Sequence, residues 1–367
     1  MKILVLFQSP WWNAAAYYAY NLVKSLTRLG HQVIFVGSSN TPVGKKITEE
    51  QYKVLDLNLF ENNPLKFISN INKVNNILVD EKIDILLPIS APGHIIAGIN
   101  KKIFKREIPI LKVGLDNVAP VKNILNKYLH NKLTDYFIFP GQSTKIKYDS
   151  FFSITKYSII HAPLDINQFT DFHTKEDLKT KYGILKDKTI VSFIGRFSPE
   201  KGIFFLLEII KEALTKNNNL FFILSGSQEQ VKYVDVEKKI NDSKINGNVK
   251  IINRVNDVRE IISITDIGLL SSRFSEYICR IAMEFMSFKI PIVAPNVNVI
   301  PEVVGSNDVG FIYNLNDSKE AADFIVKIAE DNNLKTKMGS NAFNRMKQNY
   351  DTSVFDKQIK SILELIK

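Results

Sequence analysis

Cysteine is nearly absent. The chain of 367 residues holds one, Cys279, so no internal disulfide can form and a reducing compartment is expected. Long apolar runs are missing too: no stretch reaches the roughly 20 apolar residues that a membrane-spanning helix needs. The apolar start at residues 3–7 is broken at once by Gln8, Ser9 and Pro10, so it reads as a first strand rather than a signal peptide. The five histidines, at 31, 94, 130, 161 and 173, are scattered, and no Asp-x-Asp closes a strand; no bound metal is expected. No short-period repeat or low-complexity segment stands out. A disulfide-stapled secreted domain and a helical integral membrane protein are thereby set aside, and a cytoplasmic protein is expected.

What is present is an ordinary globular balance, 45% hydrophobic and 23% charged residues, in a chain long enough for two domains. The net charge of +10 is uneven. Residues 1–170 carry 20 Lys and Arg against 12 Asp and Glu, a net of +8; residues 171–367 carry 28 against 26, a net of +2. A basic first half suits nucleic acid, an anionic membrane surface, an acidic acceptor, or solubility alone. Lys101, Lys102, Lys105 and Arg106 lack an interleaved stacking surface, so nucleic acid is not expected. Together with Trp11 and Trp12 they offer a peripheral contact with an anionic membrane at its cytoplasmic face. Core packing is the competing fate of at least one of those tryptophans.

Short β-branched runs alternate with helical patterns throughout. Strands are expected at 3–7, 32–36, 83–87, 109–113, 136–139 and 158–160, with an amphipathic helix over 14–29. The pattern restarts with strands at 189–194, 220–224, 249–252, 267–270 and 291–294. Strand, helix, strand at this spacing predicts parallel β-α-β units. The fold class expected is α/β, two doubly wound Rossmann-like domains facing across a cleft at their strands' C-terminal ends. The domains are expected at 1–165 and 188–345, with a polar linker at 166–187 and a C-terminal helix at 346–367 that crosses back to the first domain.

The strand at 189–194 runs into Gly195-Arg196-Phe197-Ser198-Pro199-Glu200-Lys201-Gly202 and then a helix. Gly195 permits a sharp exit from the strand, and Gly202 sits where a helix N-terminus offers N–H groups to phosphate oxygens. Arg196 brings a two-pronged donor and Lys201 a mobile point charge, a pair suited to a diphosphate. This is no Walker loop, because Lys201 precedes its glycine and Ile203 follows. Alone, the loop also fits a surface turn with two solvated cations.

Glu276 and Glu284 are the second element. Ile278, Ile281, Ala282, Phe285 and Met286 fall at helical spacing as one buried stripe, which leaves Glu284 on another face and Glu276 at the helix start. On one helix, eight residues separate the two carboxylates by about 12 Å. That is too far for a shared acid/base pair of the glycosidase kind, and it suits two ends of one extended ligand, ribose hydroxyls at one and sugar hydroxyls at the other. Taken singly, Glu276 fits a first-turn glutamate after a Ser275 cap, and Glu284 a solvated face.

These residues resemble the retaining glycosyltransferase family 4, of the GT-B fold. Its pattern of Gly-Arg, four residues, Lys-Gly stands here as Gly195-Arg196 and Lys201-Gly202. Its Glu-x7-Glu stands as Glu276 and Glu284, and its Pro-Val-Val-Ala and Pro-Glu turn as Pro291-Ile292-Val293-Ala294 and Pro301-Glu302. Leu29-Gly30-His31-Gln32-Val33 matches the segment after the family's first helix. The resemblance covers nearly the whole chain, and its specific motifs lie within 190–305.

The resemblance implies a hexosyltransferase-type enzyme moving a sugar from a nucleotide diphosphate sugar, a UDP-sugar favoured, without cofactor. The acceptor would be a glycan or lipid-linked hydroxyl, as in members that build bacterial surface polysaccharide. It implies that Arg196 and Lys201 neutralise the donor diphosphate, that Glu276 contacts donor-sugar hydroxyls and that Glu284 holds the ribose. Gly195 and the backbone of Tyr277, Ile278 and Cys279 would lie near the phosphates, and Arg254 to Val258 would border the base. The family's first-loop Gly-Gly is Asn13-Ala14-Ala15 here, so Asn13 and Ala14 are candidate acceptor contacts. Where the family often carries an acceptor-side histidine the segment is Lys112-Val113-Gly114-Leu115-Asp116, which makes Asp116 one candidate and His94 another. Other departures are Tyr277-Ile278 for Phe-Gly, Phe288-Lys289 before the Pro-Val strand, and residues 296–299 for a Gly-Gly turn. A nucleotide-sugar epimerase on the same architecture and a non-catalytic nucleotide-sugar sensor are the alternatives.

Overall fold

The computed structural model describes residues 1–115, 120–169, 175–184, 187–274 and 276–366. It divides into two compact units, Met1–Pro163 with Thr352–Lys367, and Leu164–Asp351.

The first unit is a parallel sheet. Its strands are β1 (Lys2–Leu6), β2 (Gln32–Gly37), β3 (Lys53–Asp56) and β4 (Ile85–Pro88), in the order β3-β2-β1-β4, followed by β5 (Leu111–Val113), β6 (Tyr136–Phe139) and β7 (Tyr157–Ile159) in that order. A parallel bridge between Leu86 and Ile110 joins the two sets. Leu4, Leu6, Ile34, Val36 and Leu86 are fully or nearly buried, as continuous apolar strands covered on both faces should be. The edge strand β3 escapes sequence reading because its burial is only partial and Lys53 opens it.

The helix Ala14–Arg28 is capped by Asn13, whose side chain accepts from the Ala16 N–H, and it buries Tyr18, Leu22, Val23 and Leu26 along one side. The last helix, Thr352–Ile366, belongs to this unit. Phe355, Ile359, Ile362 and Leu363 are its buried face. The Tyr18 and Phe355 rings meet edge to face at 5.6 Å, and Arg28 holds Asp356 with two 2.8 Å hydrogen bonds.

The second unit is one six-stranded parallel sheet. Its strands are β8 (Thr189–Ile194), β9 (Leu220–Gly226), β10 (Val249–Asn253), β11 (Ile267–Leu269), β12 (Ile292–Pro295) and β13 (Gly310–Tyr313), ordered β10-β9-β8-β11-β12-β13. The chain reverses its direction of travel across the sheet between β8 and β11, which pair directly through Ile267 with Val191 and Gly268 with Ser192. In such sheets a crevice opens beyond the strand ends at that reversal. Within the segment expected as linker, Lys175–Lys181 is a helix, and Leu178 and Ile184 pack with Ile190, Ile223, Ile261 and Ile264. Among the described residues no helix is long and apolar enough to cross a membrane.

The last helix is a fixed part of the first unit if its apolar face carries the attachment. Phe355→Ala should then destabilise that unit by about 3–5 kcal/mol, whereas Arg28→Ala, at an exposed ion pair, should cost under about 1 kcal/mol. Calorimetric unfolding in which the two variants lose the same stability would contradict this.

Candidate functional site

The two loops that leave β8 and β11 at the reversal point carry Arg196, Lys201 and Glu276. After β8, Phe197 turns inward. It is fully buried, its ring meets Tyr233 at 5.1 Å, and its N–H donates to the Ser227 carbonyl at 2.8 Å. With Phe197 anchored, its neighbour Arg196 is left exposed and pairs with Glu229 at 2.9 Å. Gly226 lies against the Gly195 carbonyl with φ +153°, and any side chain there would collide with it.

Gly202 has φ +69° and caps the helix Ile203–Lys216. A Cβ at this position would run into the Ser271 carbonyl, so the loop after β8 can approach the end of β11 only with glycine here. Three contacts fasten the two loops together. The Ser271 hydroxyl donates to the Lys201 carbonyl at 2.7 Å, and the Arg273 N–H donates to the Glu200 carbonyl at 2.8 Å. The Lys201 ammonium donates to the Glu276 carboxylate, which also accepts from the Ser272 hydroxyl at 3.0 Å. Lys201 is largely covered and Glu276 buried. Ser271 and Ser272 are site residues that sequence reading passed over, because a serine pair at a strand end carries no distinguishing signal.

Glu276 and Glu284 do not share a helix. The helix is Arg280–Ser287, and Cys279 before it stands in the left-handed region at φ 46°, ψ 48°. Helical spacing cannot reveal that break, so the 12 Å axial separation has no basis in the structure. Glu284 does not present a solvated face either. The helix is buried nearly all round, from Ala282 to Ser287, and Glu284 is buried with it. Met283 lies inside, while Ile281 is only half-buried. Glu284 meets the Arg280 guanidinium at 2.6 Å. Burial nevertheless outweighs that cation and holds the Glu284 carboxyl above its ordinary range. Ile278 and Cys279 are buried and Tyr277 half-buried. Burial, with Glu276 close by, pushes the Cys279 thiol well up, so it is a packed, protonated side chain rather than a nucleophile. Arg254 is exposed just beyond β10, and Val258 caps the helix Arg259–Ile264.

In the first unit, Asn13 and Ala14 are half-buried at the start of the first helix, and the Asn13 amide donates to the Ser9 hydroxyl at 3.1 Å. His94 is not placed for acceptor chemistry. It is 2% exposed, bonds the Thr134 hydroxyl at 2.7 Å and meets the His130 ring edge to face at 4.7 Å. Burial, with Lys112 and His130 nearby, pushes its pKa well down and keeps it neutral. Asp116 lies outside the described residues. Neither tryptophan is core: Trp11 is 72% exposed, and Trp12 lies outside with Lys46 over its ring at 5.0 Å.

Residues 174–345, most of the second unit, match the family model described as glycosyl transferases group 1. That match covers just under half of the chain. An alpha-D-kanosaminyltransferase of Streptomyces kanamyceticus is 26% identical over 55% of this chain and 52% of its own. A capsular polysaccharide biosynthesis glycosyltransferase, CapM, of Staphylococcus aureus is 24% identical over 53% of this chain and 51% of its own. The chain thus spans about half the length of the curated relatives it matches. Over its whole length it superimposes on Anabaena HepE, solved in complex with UDP, with a TM-score of 0.86, 20% identity, and coverage of 99% and 100% of the two chains. That likeness establishes the GT-B fold, two Rossmann-like domains. HepE has also been solved with UDP-glucose.

The buried Glu284 makes stability depend on pH. Its carboxyl titrates higher folded than unfolded, so its contribution is fully present below the unfolded value, near 4.5, and is lost as pH rises through the folded value. Glu284→Gln should therefore match or exceed the wild-type melting temperature at pH 8, with the difference shrinking towards pH 4. A variant less stable than wild type at pH 8 and equal to it at pH 4 would reverse the sign and refute this.

Proposed function

We propose that the chain is a retaining glycosyltransferase that moves a sugar from a nucleotide diphosphate sugar, with UDP favoured, to a hydroxyl of a glycan or lipid-linked acceptor. Its setting would be cell-envelope polysaccharide synthesis. The observation that carries the reading is the Lys201–Glu276 pair, built from two loops at the sheet's reversal point and fastened by Ser272. A carboxylate this close to a diphosphate would repel it. Paired with an ammonium, it can instead accept sugar hydroxyls while the lysine faces phosphate oxygens.

The other roles follow from exposure and charge. Arg196 pairs with the exposed Glu229, a pair weak enough for a diphosphate to displace. Glu284, charged or neutral, offers oxygens to ribose hydroxyls, and Arg280 steadies it. In the reaction the acceptor oxygen attacks the anomeric carbon on the face that the nucleotide leaves. The bond from that carbon to the phosphate oxygen breaks, and the departing phosphate takes the acceptor proton. Arg196 and Lys201 stabilise the charge growing on the leaving group. The relatives are named as glycosyltransferases, and the UDP and UDP-glucose complexes of HepE favour the same donor class.

Arg196→Ala removes one such contact from an exposed position and should leave folding intact. Turnover should fall by about 10²–10³, measured as transfer of labelled sugar; a variant that keeps near wild-type turnover would end the assignment. Across a panel of UDP-, GDP- and ADP-sugars, the UDP donor should raise the melting temperature most, since a ligand at a hundred times its Kd adds about 2.7 kcal/mol. Conversion of donor without acceptor would favour an epimerase, and binding without turnover a sensor. Activity lost in EDTA and restored by Mn²⁺ would contradict a metal-free reaction.

A further inference from the structure

The excess positive charge of the first unit is concentrated. Residues 101–132 hold eight cationic residues (Lys101, Lys102, Lys105, Arg106, Lys112, Lys122, Lys127, Lys132) against two acidic ones, a net of +6 within the chain's +10. The same stretch carries the two most exposed large apolar side chains among the described residues of the first unit, Ile124 and Leu125, with three more exposed ones beside them. Ile124 is 83% exposed, Leu125 80%, Val121 68%, Ile103 67% and Tyr128 42%.

This exposure is built in. Ile124–Tyr128 is a helical turn continued by Leu129–Leu133. Its inner side, Leu129 and His130, is buried; Leu129 lies directly over Gly98 of the helix Ala91–Ile103, where a side chain would collide with it. Asn123 caps the turn by accepting from the Asn126 N–H at 2.8 Å, and the Asn126 amide donates to the Val121 carbonyl at 2.8 Å. The turn is thus fixed with Ile124, Leu125 and Tyr128 outward. The Lys102 ammonium stands over the Tyr128 ring at 5.6 Å, which places the cationic end of the helix Ala91–Ile103, with exposed Ile103, beside this face. Lys102, Lys105, Lys122, Lys127 and Lys132 are all exposed.

Contiguous exposed apolar side chains ringed by lysines are the signature of a surface that enters an anionic interface: the apolar groups partition below the headgroups and the ammonium groups meet phosphates. We propose that the face formed by Ile103, Val121, Ile124, Leu125 and Tyr128 docks the chain on an anionic phospholipid bilayer. The charge selects this occupant. A second copy would bring the same cluster of lysines face to face, and the interface would repel itself.

Sedimentation of the full chain with vesicles tests this without any turnover, so its outcome is separate from the donor reading. Binding to vesicles containing about a third phosphatidylglycerol should exceed binding to pure phosphatidylcholine by at least about ten-fold, and should weaken as salt rises from about 0.05 to 0.5 M. The double substitution Ile124→Glu with Leu125→Glu should lower vesicle binding by about ten-fold or more, with an unchanged melting temperature and an unchanged stabilisation by UDP. Equal binding to both vesicle types, wild-type binding by the double variant, or a wild-type dimer in light scattering that the double variant splits would each overturn the proposal.

Discussion

On the proposed reading a carboxylate can sit beside the place of an anionic ligand only if something cancels its charge, and the Lys201–Glu276 pair supplies that cancellation. Lys201 and Glu276 come from loops 75 residues apart in sequence. They meet because β8 and β11 are neighbours in the sheet and because Gly202 lets one loop press against the Ser271 carbonyl. The order of dependence runs from backbone to chemistry. Without a glycine at 202 the loops separate; without the loops together the ammonium is too far to neutralise the carboxylate; and an unpaired buried carboxylate would protonate instead of binding hydroxyls as an anion. The serines at 271 and 272 add hydrogen bonds to the backbone and to the carboxylate, which fixes where the pair lies as well as its charge.

The same region is where the fold spends stability. Cys279 adopts a left-handed backbone without being glycine, a state that costs on the order of 1–3 kcal/mol, and Glu284 is buried against its preference for water. Neither feature helps the unit fold. Both shape the entry to the helix Arg280–Ser287, whose sides are otherwise packed with Ala282, Met283, Phe285 and Met286. Strain of this kind persists only where surrounding packing over-determines it, and here Phe285 seated on Gly268 of β11 supplies that packing. A buried carboxylate and a strained cap on one short element, next to a neutralised ion pair, are what a binding site looks like when local rules yield to function.

Much of this was legible in the sequence, for identifiable reasons. Continuous β-branched runs report strands buried on both faces, so the central strands could be read, whereas β3 and β13, short and opened by Lys53 and Gly310, could not. The Gly195 to Gly202 loop was readable because glycine and cation spacing is a backbone requirement written into composition. At the candidate site the misplacements concern where a helix breaks and which way a side chain faces. Helical periodicity assigned Glu276 to a helix and Glu284 to an open face because it assumes an unbroken helix, and nothing in Tyr277-Ile278-Cys279 announces the left-handed turn. His94 has the chemistry of an acid or base but is enclosed by Thr134, His130 and Phe137, residues some 36 or more positions away. Trp11 and Trp12 sit outside for the converse reason, since the loop after β1 is too short to fold them back over the sheet while Asn13 is committed to capping the next helix.

The two halves of the chain solve different electrostatic problems, and their compositions differ accordingly. The second unit needs local positive charge at one point only, so Arg196 and Lys201 are each matched by a carboxylate, Glu229 and Glu276, and its half of the chain stays near neutrality. Such matched pairs hold their geometry and attract little at a distance beyond a Debye length. The first unit keeps Lys102, Lys105, Lys122, Lys127 and Lys132 exposed and close in sequence, where they add into a field that reaches further than any one of them. A site built for one small anion and a surface built for an extended anionic phase need opposite charge arrangements, compensated in one case and accumulated in the other. The division of the net charge between residues 1–170 and 171–367 follows from that difference rather than from solubility, which would be served equally well by charge spread over both units.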